Sequence, residues 1–234
     1  MQGTKSALLI IFLKYPQAGK VKTRLAKEIG RQNAAGLYRV FVEVVLKRTK
    51  DKNFKRLIFY APRDKGREIK KWLGNNELEF HPQKGKDLGE RLCNAFQFAF
   101  NQPSIRKVVA IGTDSPLIDR KVVTTAFNSL ETKQCVLGPA IDGGYYLIGL
   151  SSFSGHVFKG IHWGTKKVLS QTIRGLRESK INHRFLKVSC DIDTHDDLRI
   201  FMKMARAAKK INLLGLAPIF DILNEYTLKA KKQR

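Results

Sequence analysis

Lys107-Val108-Val109-Ala110-Ile111 runs directly into Gly112-Thr113-Asp114-Ser115-Pro116-Leu117-Ile118. The first segment is an apolar, β-branched run of strand length. The turn after it carries one carboxylate and is closed by Ser-Pro. An unbroken apolar strand suits burial on both faces of a parallel sheet. In an open sheet of that kind, ligands bind beyond the carboxyl ends of the strands, so Asp114 stands where a ligand would be gripped. Far downstream, Cys190-Asp191-Ile192-Asp193-Thr194-His195-Asp196-Asp197-Leu198 forms a second acidic cluster. Two oxygen-rich turns with no Cys/His pairing suit Mg²⁺ or Mn²⁺ on a nucleotide better than zinc.

Outward from this strand, apolar runs alternate with segments of helical period. Ala7–Leu13 reads as a first strand, interior to the sheet and a neighbour of Lys107–Ile111. A loop over Lys14–Lys22, with Pro16 and Gly19, leads to helical patterning from about Thr23, strongest at Leu37, Val40, Phe41, Val44 and Val45. Arg56–Tyr60 reads as a strand, Asp64–Leu73 as a helix ended by Gly74, and Glu77–His81 as a short strand. Leu88–Phe100 has an amphipathic helical pattern, and Asp119 caps a helix reaching Leu130. Cys135–Ala140 and Tyr145–Leu150 read as strands on either side of Asp142-Gly143-Gly144. Thr165–Ser179 is helical, His183–Val188 a strand, and Thr194–Lys209 a helix capped by Thr194 or Asp193. The alternation predicts an α/β fold with a mostly parallel central sheet and helices on both faces. With no repeat and no low-complexity linker, residues 1–234 read as a single domain, ending in a compact basic tail at about 229–234 (Lys229, Lys231, Lys232 and Arg234).

The 44 Lys and Arg against 20 Asp and Glu leave a net charge of +24. Such a charge attracts polyanions, whether nucleic acid, acidic lipid surfaces or phosphorylated substrates. The basic residues are spread along the chain, however, which makes solvated faces the simpler reading. The sequence carries no RNP, KH, zinc-finger or helix-turn-helix signature, so nucleic acid is disfavoured as a partner. The three cysteines, Cys93, Cys135 and Cys190, lie far apart among apolar residues and form no C-x-x-C. They read as buried free thiols of a reducing compartment, and the expected location is cytoplasmic. Ala7–Leu13 is too short for a signal-peptide core, and no later apolar run approaches the ~18 residues of a membrane span.

Lys14-Tyr15-Pro16-Gln17-Ala18-Gly19-Lys20-Val21-Lys22-Thr23-Arg24-Leu25 follows the first strand and opens a helix. Glycine allows close backbone approach to a phosphate, and Lys14, Lys20, Lys22 and Arg24 bring positive charge. Neither a Walker A loop nor G-x-G-x-x-G is present; an ordinary basic turn is the alternative. Asp114 is also of a residue type that favours turns, and Thr194 with Asp197 fits a helix capping box. Asp142-Gly143-Gly144 is a hairpin turn on propensity alone. Asp87 and Arg91 fit a helix cap and a surface ion pair, and Trp163 reads as a core aromatic. His81, His156, His162 and His183 have no metal-ligand spacing.

The ordered set of motifs resembles the nucleotide-diphospho-sugar transferase superfamily with the GT-A fold. Within it, the chain is similar to the bacterial and archaeal glycosyltransferase-like proteins called DUF2064. The resemblance rests on the K-x-P-x-x-G-K-V-K-T-R-L loop, Gly85-Lys86-Asp87-Leu88-Gly89-Glu90-Arg91-Leu92, Gly112-Thr113-Asp114-Ser115-Pro116, the stretch Gly138–Gly149, Trp163-Gly164-Thr165 and Asp191-Ile192-Asp193-Thr194. It implies that Lys14, Gly19, Lys22, Thr23 and Arg24 cradle nucleotide phosphates and that Asp87 and Arg91 orient the nucleotide or acceptor. It also implies that Asp114 and Asp193 bind the metal, with Asp191 as a further candidate. Asp114 and Asp142 become the catalytic candidates, Asp142 as a base or sugar-hydroxyl acceptor on a substrate loop with Gly143, Gly144 and Trp163. His195 stands where relatives have Pro in the second acidic loop. The superfamily contains glycosyltransferases acting from nucleotide-diphospho-sugars and nucleotidyltransferases that release pyrophosphate from an NTP. Both need the same Mg²⁺- or Mn²⁺-assisted phosphate clamp, so both reactions stand, glycosyl transfer first.

Overall fold

The computed structural model describes residues 6–74, 77–207 and 215–223. Its centre is a seven-stranded sheet of order β3-β2-β1-β4-β6-β5-β7. The strands are β1 (Ala7–Lys14), β2 (Lys55–Ala61), β3 (Glu79–Pro82), β4 (Lys107–Gly112), β5 (Cys135–Pro139), β6 (Tyr145–Leu150) and β7 (His183–Phe185). β1 pairs in parallel with β2 and β4, so both apolar runs are interior neighbours, as their composition predicts. β6 alone runs against its neighbours, antiparallel to β4 and β5. That reversal brings the β5–β6 turn to the edge where β4 ends.

Strand residues alternate between two cores, as a period of two requires. Leu9, Ile11 and Leu13 of β1 face one side with Ile58, Val109 and Ile111. They meet α2 (Arg31–Arg48) through Ala35, Tyr38, Val42 and Val45, α3 (Gly66–Leu73) through Ile69, and α5 (Arg120–Ser129) through Val123, Ala126 and Phe127. Leu8 and Ile10 face the other side with Leu57, Phe59, Val108 and Ala110. There they pack on Leu92, Ala95, Phe96 and Ala99 of α4 (Leu88–Phe100), a 3₁₀ turn at Gly155–Phe158, and Leu176 of α6 (Val168–Glu178). A third cluster joins the outer side of α2, at Leu37, Phe41 and Val44, to Leu198 and Phe201 of α7 (His195–Ala207) and to Leu216 and Ile219 in the helical segment 217–223. α2 is thus covered on two sides, which explains its broad apolar stripe.

Several boundaries move from their sequence positions. The helix expected from Thr23 divides into α1 (Ala26–Ile29) and α2, because Gly30 turns the chain at φ +85°. Only a residue without Cβ adopts that angle cheaply. α6 begins at Val168 rather than Thr165, whose hydroxyl accepts from the Lys167 amide (3.2 Å) in the turn before it. β7 ends at Phe185 rather than Val188. The end of the last helix at Lys209 and the basic tail at 229–234 lie outside the described residues. No helix among those residues is long and apolar enough to cross a membrane.

Candidate active site

β1 and β4 end side by side, and their loops meet the loop before α7. Asp114 and Asp193 are 79 positions apart (193 − 114), yet three contacts stitch their loops together. The Ile192 amide donates to the Asp114 carbonyl (3.0 Å). The Ser115 hydroxyl donates to the Cys190 carbonyl (3.0 Å) and also meets the Asp191 carboxyl. The start of α7 is secured separately. Thr194 Oγ1 accepts from the Asp197 amide (3.1 Å), and the Asp197 carboxylate accepts from the amides of Asp193 (3.1 Å) and Thr194 (2.8 Å). This reciprocal capping box leaves the Asp193 carboxylate free of helix capping.

Both carboxylates close on Lys22. Its backbone sits at φ +47°, uncommon for a residue with a side chain. The turn buries Val21 and Lys22 while leaving Thr23 and Arg24 exposed. The Lys22 side chain is 2% exposed; its Nζ meets Asp193 Oδ1 at 2.8 Å and Asp114 Oδ1 more closely still. The ammonium also lies over the rings of Tyr38 (5.9 Å) and Phe41 (5.8 Å), within cation–π range. Burial opposes its charge, but the two carboxylates prevail and raise its pKa above the usual lysine value. Burial, with Asp114 adding, likewise raises Tyr38. The Tyr38 hydroxyl accepts from the Lys14 amide (2.9 Å) and shares a hydrogen bond with Thr113 (2.9 Å), tying α2 to the ends of β1 and β4. Burial pushes Asp191 up to about 7, opposed by the Ser115 contact and by Lys22.

A cleft of about 480 Å³ opens above this centre. Of the residues singled out in the sequence, Lys14, Lys20, Lys22, Thr23, Arg24, Arg91, Asp114, Asp191 and Asp193 line it together. Arg91 is steadied by donating from Nε to the Gly85 carbonyl (3.1 Å). The others lie outside the lining. Gly19 borders an adjoining surface depression with Lys20, Lys27 and Arg31. Asp87 caps α4, accepting from the Glu90 amide (2.9 Å). Asp142 is exposed and accepts from the Gly144 amide (2.9 Å), holding the β5–β6 turn. Gly143, at φ +89°, leaves no room for a Cβ, which would lie 2.2 Å from the Lys166 carbonyl oxygen. Trp163 is partly buried against Gly89 and edge-on to Tyr145 (6.2 Å).

Sequence reading missed Tyr38, Thr113 and Ser115, which position the acidic loops, and Gln83, whose side-chain nitrogen bridges the carbonyls of Leu13 (3.1 Å) and Phe59 (2.9 Å) at the cleft wall. Tyr38 falls on an apolar helical stripe and is indistinguishable there from a core residue. Thr113 and Ser115, which flank Asp114 in its turn, were the two with a visible signal.

Asp114 and Asp193 suit a divalent cation by donor type and placement. Both are hard carboxylates facing the cleft, 45% and 46% exposed, and they already converge on one positive charge. Among the described residues no three His, Cys, Asp or Glu side chains gather to hold a metal. An ion held by this pair would need further ligands such as water and a bound phosphate, as Mg²⁺ commonly uses.

A family profile described as an uncharacterized protein conserved in bacteria (DUF2064) matches residues 44–165. A solved protein from Desulfovibrio desulfuricans G20, provisionally named a nucleotide-diphospho-sugar transferase, is 35% identical, with 95% of this chain and 99% of that one covered and a TM-score of 0.85. Rv0371c from Mycobacterium tuberculosis H37Rv, solved in complex with manganese, has the same fold at 13% identity, with 86% and 99% covered and a TM-score of 0.53. So does a CMP:2-keto-3-deoxy-manno-octonic acid synthetase complexed with CTP, at 11% identity, 86% and 99% coverage and a TM-score of 0.53. Comparison with curated proteins gave no match.

Proposed function

The chain belongs to the DUF2064 family and is a nucleotide-dependent transferase; from that premise we propose that it moves a glycosyl group from a nucleotide-diphospho-sugar to an acceptor. The observation that carries the phosphate-binding part of this reading, which nucleotidyl transfer would share, is the convergence of Asp114, Asp193 and Lys22 beneath a cleft whose other charged lining includes Lys14, Lys20, Arg24 and Arg91. A diphosphate is the ligand such a set fits, with cations along the wall and a carboxylate pair at the base. The likeness to the Desulfovibrio protein, at 35% identity over nearly the whole chain, favours a sugar donor.

Each residue then has a role set by its position. Arg24 is exposed on the cleft wall, and its planar fork suits two phosphate oxygens at once. Lys14, Lys20 and Arg91 add fixed positive charge around the diphosphate. As the bond between sugar carbon and phosphate oxygen breaks, negative charge builds on the leaving diphosphate, and cations already in place stabilise it without reorganising. Asp114 and Asp193 would hold Mg²⁺ or Mn²⁺, which supplies further neutralisation of that charge. Asp191 braces the acidic loop through Ser115. The phenolic hydroxyl of Tyr38 fixes the amide of Lys14, and with it the end of β1.

The purified chain, incubated with UDP-, GDP-, ADP-, CDP- and dTDP-sugars and with the matching NTPs in Mn²⁺ or Mg²⁺, is followed by ³¹P NMR. Nucleoside diphosphate released from a nucleotide sugar supports the proposal. Pyrophosphate released only from an NTP assigns nucleotidyl transfer instead. If no nucleotide is consumed and none raises the melting temperature, the cleft is not a nucleotide site.

A further inference from the structure

Lys22 is the residue whose geometry departs furthest from a phosphate-gripping lysine. Residues that meet substrate phosphates need access to the cleft, and Arg24 has it. The Lys22 ammonium is instead enclosed, at 2% exposure, between two aromatic rings and two carboxylates from loops 92 (114 − 22) and 171 (193 − 22) positions away. The backbone holds φ +47° to place it there.

Asp114 and Asp193 together carry two negative charges, and Lys22 cancels one, so the group offers a divalent cation a net charge of −1. The ammonium takes Oδ1 of both carboxylates. A bare cation arriving at the cleft meets a pair that is half neutralised and already bridged. A diphosphate brings two or more negative charges of its own and changes that balance.

We propose that Lys22 is a tethered resident cation that keeps the Asp114–Asp193 pair from capturing a divalent ion alone, so that metal is taken up together with a phosphate-bearing ligand. This rests on the nucleotide-transferase reading for its purpose but not for its test. The protein is guarded in this way against loading a metal unproductively, and the two carboxylates stay aligned without one.

The test compares Mn²⁺ binding, without nucleotide, to the full-length wild type, Lys22→Met and Lys22→Arg, using the free-Mn²⁺ EPR signal. Removing one unit charge beside the pair should tighten Mn²⁺ binding by roughly tenfold or more in Lys22→Met, while Lys22→Arg, which keeps the charge, stays weak like wild type. Equal Mn²⁺ affinity in wild type and Lys22→Met overturns the proposal. Should Lys22→Met not fold, the ¹⁵N-labelled lysine ammonium signals of wild type decide. A slowly exchanging Lys22 signal that ignores millimolar Mg²⁺, but moves when inorganic pyrophosphate is added with it, supports the inference. Displacement by Mg²⁺ alone overturns it. These outcomes are independent of nucleotide turnover, so a failed donor screen would sink the functional reading without touching this one.

Discussion

Neutralising the partners of Lys22 one at a time and then together gives a sharp test of the buried charge centre. At the 2.8 Å separation of Lys22 Nζ and Asp193 Oδ1, the bare attraction is about 1.5 kcal/mol in a water-like dielectric and about 6 kcal/mol at an effective constant of 20. The carboxylates are 45% and 46% exposed, which places the screened value near the lower figure. Asp114→Asn or Asp193→Asn alone still leaves the ammonium one carboxylate, so each should cost about 1–1.5 kcal/mol, or roughly 2–6 °C of melting temperature for a chain of this size. The double variant strands a buried ammonium with neither counter-charge and should cost about 3–5 kcal/mol. The excess over the summed single effects, about 1–2 kcal/mol, is the signature of a shared partner. Urea unfolding at pH 7 with a chelator present, followed by the fluorescence of Trp72 and Trp163, measures all four proteins. If the double variant costs no more than the sum of the singles, Lys22 is not held as described.

Arg24→Ala should weaken nucleotide affinity about tenfold or more, as loss of charge-assisted hydrogen bonds does, with little change in melting temperature because Arg24 is exposed; calorimetry showing equal affinity would remove it from the phosphate site. Asp142→Asn keeps an acceptor for the Gly144 amide and should leave the melting temperature nearly unchanged, since surface changes of this kind rarely exceed ~0.5 kcal/mol; a hundredfold loss in a donor-hydrolysis assay from the folded variant would assign the Asp142 carboxylate to the chemistry, and unchanged turnover would leave it the turn alone. Alkaline stability provides a third check. Burial raises Tyr38 and Tyr145 and pushes Tyr146 and Cys135 up to about 12, while Lys22 is raised by its carboxylates. All five hold protons in the native state that the unfolded chain releases at lower pH, so unfolding free energy should fall as pH rises from about 9 to 12. A urea midpoint that stays flat across that window contradicts the burial of these groups.

Much of the framework was legible in the sequence because it rests on local signals. The unbroken apolar runs at Ala7–Leu13 and Lys107–Ile111 identify interior parallel strands, and Asp119 is found capping α5 through the Val122 amide (3.0 Å). The division at Gly30 was not legible, since apolar residues keep helical spacing across it and a lone glycine is tolerated within helices. The acidic pair was readable as residue types on two turns. Its bridging by Lys22 was not, because contacts 92 and 171 positions apart leave no trace in local spacing. Asp142 illustrates the converse. Its hairpin-turn propensity, set aside for a substrate role under the family resemblance, describes its hydrogen bond in the structure.

The order of strands also bears on how the chain is synthesised. β1 lies between partners that come late: Leu8 faces Lys55 on one side and Val108 on the other. At a synthesis rate of ~5–20 residues per second, about 5–20 s separate the emergence of Leu8 from that of Val108. Until then Ala7-Leu8-Leu9-Ile10-Ile11-Phe12-Leu13 has at most one of its two partner strands, β2, and that only once Lys55–Ala61 is made. α2 is complete by Arg48 and can shelter only the Leu9, Ile11 and Leu13 side. The Leu8 and Ile10 side waits for α4, some eighty residues on, so that face of the strand is the last part of β1 to be covered.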